Sequence, residues 1–214
     1  MTSESSTQSA STATSQFTAA DVVAVLRERG WLGDEVTSGA EAPVQHTDHS
    51  ARLEPCPDEA GPDGASSTRE ELDAWLREAA ALLGPHAADR EALGELLSLV
   101  FQYDARAILG SRENHTVLAR EGAKEVIREL AHLVLEGPAI DSDRFKEIVA
   151  ALKTKLPFRG RELFHPIRLA LAGRAGEGEL DRVILLLDRA AALPFRVPVK
   201  GNRRRILEFC AAME

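Results

Sequence analysis

The side chains best suited to chemistry in this chain are cations gathered around an aromatic ring. Lys153, Lys155, Arg159 and Arg161 flank Phe158, and Arg168 and Arg174 follow closely in sequence. Lysine and arginine neutralise phosphates, and an aromatic ring offers a face on which an unpaired base can stack. The pattern fits recognition of a nucleic acid; it also fits a basic, solvated rim around a ring that belongs to the core. A second cluster, Lys200, Arg203, Arg204 and Arg205, stands at the start of a final helix. There it opposes the helix dipole, which favours acids at that end. Such a placement implies an anionic partner or a helix that begins elsewhere.

Catalytic patterns are missing. The six histidines, His46, His49, His86, His115, His132 and His165, show no convergence with Ser or Asp. His165, just before Pro166, reads as a helix cap rather than a proton carrier. His46 and His49 make at most an adventitious metal pair, so neither a metal site nor a cofactor is expected. Cys56 and Cys210 lack the spacing of a disulfide framework or a zinc site, and Cys210 reads as a small buried hydrophobe. The glycines of Gly173, Gly176 and Gly178 follow a helix rather than a strand, which makes that stretch a loop and not a phosphate cradle.

The net charge of −8 hides a split. Residues 153–214 hold 13 Lys/Arg against 7 Asp/Glu, a net of +6, and the remainder holds 13 against 27, a net of −14. Such asymmetry points to a nucleic-acid surface or an acidic partner. Residues 1–16 are nearly all Ser, Thr, Ala and Gln, and residues 33–67 are rich in Gly, Pro, Ser and acids. Neither stretch carries enough apolar surface to offset its ordering entropy, so residues 1–67 are expected to form a largely disordered tail. No run of 18 apolar residues exists to span a membrane. The N-terminus lacks the apolar core of a secretory signal, and Glu4 with no Arg before Arg27 argues against a transit peptide. A cytoplasmic location is expected.

The elements that must position the cations read as helices throughout. Within the tail, residues 18–30 form a short amphipathic helix with Val22, Val23, Val25 and Leu26 on its apolar side. It either packs back on the domain or docks into a partner through residues 17–32. Further helices are expected from about 67 to Leu83, over 87–109, 113–135, 141 to about 152, 166–172, 178–192 and 201–213. Pro166 would open the helix at 166–172 and Gly173 would close it in a left-handed cap. Two-residue alternation is nowhere sustained. The expected fold is all-α, a bundle or cage of about six to seven helices, divided as 68–112 and 113–214.

The segment Leu163-Phe164-His165-Pro166-Ile167-Arg168-Leu169-Ala170-Leu171-Ala172-Gly173 resembles the "LFxPLRVALTG" stretch of bacterial-type glutamyl-tRNA synthetases, class I enzymes that carry it in a helical anticodon-binding region. Tyr103-Asp104-Ala105-Arg106-Ala107 is similar to that family's tyrosine-aspartate turn between two helical subdomains. Gly178-Glu179-Leu180 with Leu185-Leu186-Leu187 resembles its "GPEL…LLG" helix, and Arg205-Ile206-Leu207 its closing helix. The likeness covers about half the chain. Ala172 stands where the family has Thr, Asp188 stands where it has Gly, and Ala190–Lys200 is longer than its counterpart.

The family's "HxGH" and "KMSKS" motifs and its nucleotide-binding sheet are not found, so the chain is not expected to be an aminoacylating enzyme by itself. The resemblance implies a stand-alone, non-catalytic tRNA-binding module, of glutamate-type tRNA, acting in trans with a tRNA-using enzyme or as part of a split synthetase. The alternative is a helical interaction module that kept the fold and lost RNA binding. The RNA-binding candidates are Lys153, Lys155, Phe158, Arg159, Arg161, Arg174, Lys200, Arg203 and Arg204. Phe164, Pro166, Arg168 and Gly173 form a structural signature, in which Arg168 is expected to meet a carboxylate or helix-end carbonyls.

Overall fold

Leu180, Val183, Ile184, Leu185, Leu186, Leu187 and Ala190 cover nearly every side of one helix, so that helix has to be surrounded. The computed structural model, which describes residues 17–33 and 63–214, places it at the centre. The described residues form ten α-helices and a single 3-10 turn, with no strand. In chain order these are α1 (Ala19–Glu28), α2 (Asp63–Leu83), α3 (Arg90–Phe101), α4 (Ala105–Gly110), α5 (Arg112–Leu118), α6 (Ala123–Glu136), α7 (Ser142–Lys155), α8 (Arg161–Ala172), α9 (Glu179–Ala191) and α10 (Asn202–Met213). The apolar helices α8 and α9 pack together; α2 and α3 close on α9, while α5, α6 and α10 close on α8. One continuous cluster of buried side chains runs from Val22 to Phe209.

The all-α expectation holds, but the helix count was low, because two long periodic stretches are each broken. The stretch 87–109 divides into α3 and α4. Gln102 is extended, and the Asp104 carboxylate accepts from the N–H groups of Arg106 and Ala107 at 2.9 and 3.2 Å. That cap starts a new helix and frees Tyr103 to enter the core. The stretch 113–135 divides into α5 and α6 at Gly122, whose φ of +83° is cheap only for glycine. The signature helix starts at Arg161 rather than Pro166. Pro166 lies inside it and forgoes one backbone bond near the start, while Leu163 gains full burial. His165 is therefore mid-helix and caps nothing. Gly173 closes α8 at φ +84°, its N–H reaching the carbonyls of Arg168 and Leu169. The helix expected from about 67 begins at Asp63, and most of the proposed tail, with His46 and His49, lies outside the described residues.

The first helix packs back on the domain. Thr18 and Asp21 form a capping box, and Val22, Val25 and Leu26 are buried against α2 and α3. Each such side chain contributes roughly 1.5–3 kcal/mol on burial. Beyond the helix, Trp31 stacks on Phe101 at 4.7 Å, and Phe101 meets Phe195 edge-on at 4.9 Å. Trp75 joins the cluster and donates its indole N–H to the Leu186 carbonyl at 3.1 Å. The Arg196 N–H donates to the Trp31 carbonyl, pinning the α9–α10 loop to this corner. The apolar side of residues 17–32 is thus occupied within the chain, which removes the surface that a docking motif would need.

Arg205 ties the other end together. It is fully buried, yet among the described residues no carboxylate touches it. Its Nε donates to the Lys200 carbonyl, Nη1 to the Leu99 and Leu171 carbonyls, and Nη2 to the Val100 carbonyl, at 2.6 to 2.9 Å. The guanidinium lies 4.6 Å from the centre of the Tyr103 ring, and the Tyr103 hydroxyl donates to the Ala170 carbonyl at 2.6 Å. Burial lowers the Arg205 pKa to about 10, which still leaves it charged at neutral pH. Replacing Arg205 with Ala strands buried carbonyls at the ends of α3 and α8 and is expected to cost at least about 3 kcal/mol. The exposed neighbour substitution Arg204→Ala should stay within about 0.5 kcal/mol. Urea unfolding of both variants checks this, and equal stabilities would refute the role given to Arg205.

Candidate nucleic-acid interface

Helix α7 ends and α8 begins at the corner that carries half of the candidate cations. Asp141 caps the start of α7 with two accepted N–H bonds, and Arg159 closes its end. The Arg159 guanidinium donates to the carbonyls of Lys153, Leu156 and Phe158 at 2.6 to 2.7 Å, satisfying groups that a helix end leaves open. Lys155 pairs with Glu129 of α6 at 2.9 Å; their mutual hydrogen bond raises the lysine pKa and lowers that of the acid. Phe158 turns inward. Its ring lies so close over Gly122 that a Cβ there would come within 1.9 Å of Cζ. Arg159, Lys155 and Phe158 therefore build the corner.

Other members stay open. Lys153 is exposed, its Nζ 5.7 Å from the Phe164 ring centre. Arg161 pairs with Glu177 at 3.3 Å, but both side chains are largely in water at 74% and 70% exposure, so the pair exchanges readily with a phosphate. Arg174 is exposed and has no hydrogen bond or ion pair among the described residues, but it stands past the other end of α8, roughly 17 Å along the axis from Arg161. Arg120, in the α5–α6 turn, is open in the same way and lies near enough to His165 to act on its charge. It was missed in the sequence because it fell inside a stretch read as unbroken helix.

Arg168 is 8% exposed and locked. Nε and Nη2 grip both oxygens of Asp181 at 2.7 and 2.9 Å, and Nη1 donates to the Gly176 carbonyl at 2.6 Å. It also lies against the Phe164 ring at 5.1 Å. Arg168 fastens α8, the following loop and α9 to one another.

The second cluster is not joined to the first. Arg205 reaches Leu171 near the end of α8, and the helical rise places that point roughly 10 Å along the axis from Phe164. Lys200 bonds Glu208 at 2.6 Å and the Tyr103 carbonyl at 3.1 Å; Arg204 bonds Glu208 at 2.7 Å; Arg203 donates to the Leu135 carbonyl. Burial pushes the Glu208 pKa up, but the bonds from Arg204 and Lys200 outweigh it and leave it lowered. The dipole conflict is relieved by Asp188, whose carboxylate accepts from the Asn202 N–H at 2.7 Å and so caps α10 from a neighbouring helix. Its second oxygen holds the Ile140 N–H. Among the described residues no three His, Cys, Asp or Glu side chains gather for a metal, and no helix is long and apolar enough to cross a membrane.

His165 has both ring nitrogens buried with no hydrogen-bond partner among the described residues. Burial and the charges of Arg120, Arg161 and Arg168 lower its pKa, against a smaller opposing effect of Glu177. The folded chain thus resists a proton that the unfolded chain accepts below about pH 6.5. Stability is unaffected above that pH and falls as the pH drops through it. Thermal unfolding between pH 7.5 and 5 should show this decline, and His165→Gln should flatten it; an unchanged slope would remove His165 as its source.

The family model described as "Anticodon binding domain" matches residues 51–193. The glutamate–tRNA ligase of Bacillus licheniformis is 30% identical over 133 residues, which is 60% of this chain and 27% of the ligase. A second glutamate–tRNA ligase of Syntrophus aciditrophicus is 26% identical over 113 residues, 53% of this chain and 23% of that protein. The corresponding ligase of Carboxydothermus hydrogenoformans is 32% identical over 80 residues, 37% of this chain and 17% of the ligase. This chain spans about a quarter of the length of the first two. No solved structure gives a significant match. The matched stretch runs from before α2 to the end of α9 and takes in the signature helix with its Arg168–Asp181 clamp, and on that extent the chain belongs to the anticodon binding domain family.

Proposed function

We propose that this chain is a non-catalytic tRNA-binding module that presents the α7–α8 corner to the RNA and works in trans with a tRNA-using enzyme. The observation that carries the reading is the division of labour among the basic residues of a chain in this family. Lys155, Arg159 and Arg168 build the corner, while Lys153, Arg120 and the loosely paired Arg161 there, and Arg174 past the other end of α8, stay open to phosphates. Phe164, half-buried beneath Lys153, offers a ring at its edge. Glutamate-type tRNA is the proposed ligand, because the named relatives are glutamate–tRNA ligases. Lys200, Arg203 and Arg204 enter as a secondary contact, since each is already held by Glu208 or a backbone carbonyl.

Filter binding of glutamate-type tRNA to the full chain at several salt concentrations tests this. Affinity should fall steeply with salt, and each of Lys153→Ala, Arg161→Ala and Arg174→Ala should reduce the logarithmic salt slope by about one. Arg204→Ala should change it less. Absence of binding at low salt would refute the proposal and favour the reading in which the fold persists without RNA. Equal binding of unrelated tRNAs would refute the glutamate assignment alone.

A further inference from the structure

Helices α6 and α10 run antiparallel: Arg203 at the start of α10 meets Leu135 near the end of α6, and Met213 and Glu214 at the other end lie beside Lys124 and Arg128. Between them lies an open groove of about 400 Å³. One wall carries two cations, Lys124 and Arg128, spaced one helical turn and so about 6 Å apart, with the His132 imidazole one turn further on. None of the three has a hydrogen bond or ion pair among the described residues. The floor is apolar, formed by Ala131, Leu135, Cys210 and Met213. Leu207, one turn from Arg203 and one from Cys210 on the same side of α10, is 51% exposed and is the one large hydrophobic side chain among the described residues standing open to solvent.

We propose that this valley is a docking groove for an acidic amphipathic helix of a partner protein. A helix lying in it would set its apolar stripe on Leu207, Met213 and Leu135 and place two acids, spaced four apart, against Lys124 and Arg128. The spacing of Lys124 and Arg128 matches that of carboxylates on a helix, and with Glu214 as the one acid in the lining the balance of charge favours an acidic helix. The groove has no aromatic side chain among its lining residues, so it offers an RNA base nothing to stack on. This surface is separate from the α7–α8 corner, and the proposal does not rest on RNA binding there.

A labelled helical peptide of about four turns, with Leu on one stripe and Glu along its edge, is titrated into the full chain by fluorescence anisotropy. It should bind, and the double substitution K124E/R128E should weaken it at least tenfold, as should Leu207→Glu. A version of the peptide with Lys in place of Glu should not bind, and the tRNA titration should be unchanged by both variants. Failure of the acidic peptide to bind, or equal binding by K124E/R128E, overturns the proposal. Loss of tRNA binding in K124E/R128E would assign the groove to RNA instead. A dimer in sedimentation that Leu207→Glu converts to monomer would assign it to a second copy of the chain.

Discussion

The buried guanidinium of Arg205 is the joint on which the arrangement of helices depends. A buried charge with no carboxylate in contact among the described residues is costly unless its donors are satisfied, and four of its five N–H groups are taken by carbonyls. Those carbonyls sit at the C-terminal ends of α3 and α8 and in the loop before α10, where helix dipoles concentrate negative potential. The cation therefore replaces a carboxylate with the ends of two helices. Because the fork of the guanidinium is planar, it also fixes the angle at which those ends approach. Tyr103 completes the joint: its ring covers the cation, and its hydroxyl bonds the Ala170 carbonyl, next to one of the carbonyls that Arg205 holds. Buried this way, the phenol pKa is pushed well above its usual value, so it remains a donor.

The same economy runs through the basic half of the chain. A net charge of +6 over residues 153–214 suggests a surface offered to an anion, yet much of it serves internal carbonyls and acids. Arg159 closes α7, Arg168 clamps Asp181, Arg203 closes α6, and Lys200 and Arg204 share Glu208. Arginine is suited to this work because five donors reach several carbonyls at once. What remains for a ligand is a smaller set, drawn partly from α6 and the α5–α6 turn, where sequence-level charge counting shows no excess.

The central helices were legible because their apolar residues run round the whole circumference. No strand pattern competes with Leu180–Ala190, and burial follows directly. The starts of α1 and α7 were equally plain, since the short polar side chains of Thr18 and Asp141 stand just before an apolar run and have a single cheap use. The breaks at Gln102–Asp104 and at Gly122 were not, because the apolar period continues across both and outweighs a lone cap or glycine. Site residues were hardest to read. Lys153 and Lys155 are two residues apart and chemically alike, yet only one finds an acid, Glu129, which lies 26 positions away. Phe158 read from sequence either as a stacking platform among cations or as a core ring with a basic rim. Its partner proved to be the bare backbone of Gly122, a contact between segments that no local pattern announces.

The family match covers residues 51–193, but the packing that holds this segment reaches beyond both ends of it. Trp31, from before the match, stacks on Phe101, and Phe195, from after it, fills the remaining edge of the same cluster. Arg205 and Asn202, further on still, reach into α3, α8 and α9, the asparagine donating to the Ile184 carbonyl. Without these flanks the ends of α3 and α8 would present open carbonyls to an apolar interior. The flanking helices are thus structural parts of the domain in this chain. Helix α10 carries a further consequence: by packing its buried face on α4, α6 and α8, it leaves Leu207 facing outward, one turn from Cys210, which lines the groove with Lys124 and Arg128. The element that completes the fold also creates the second surface.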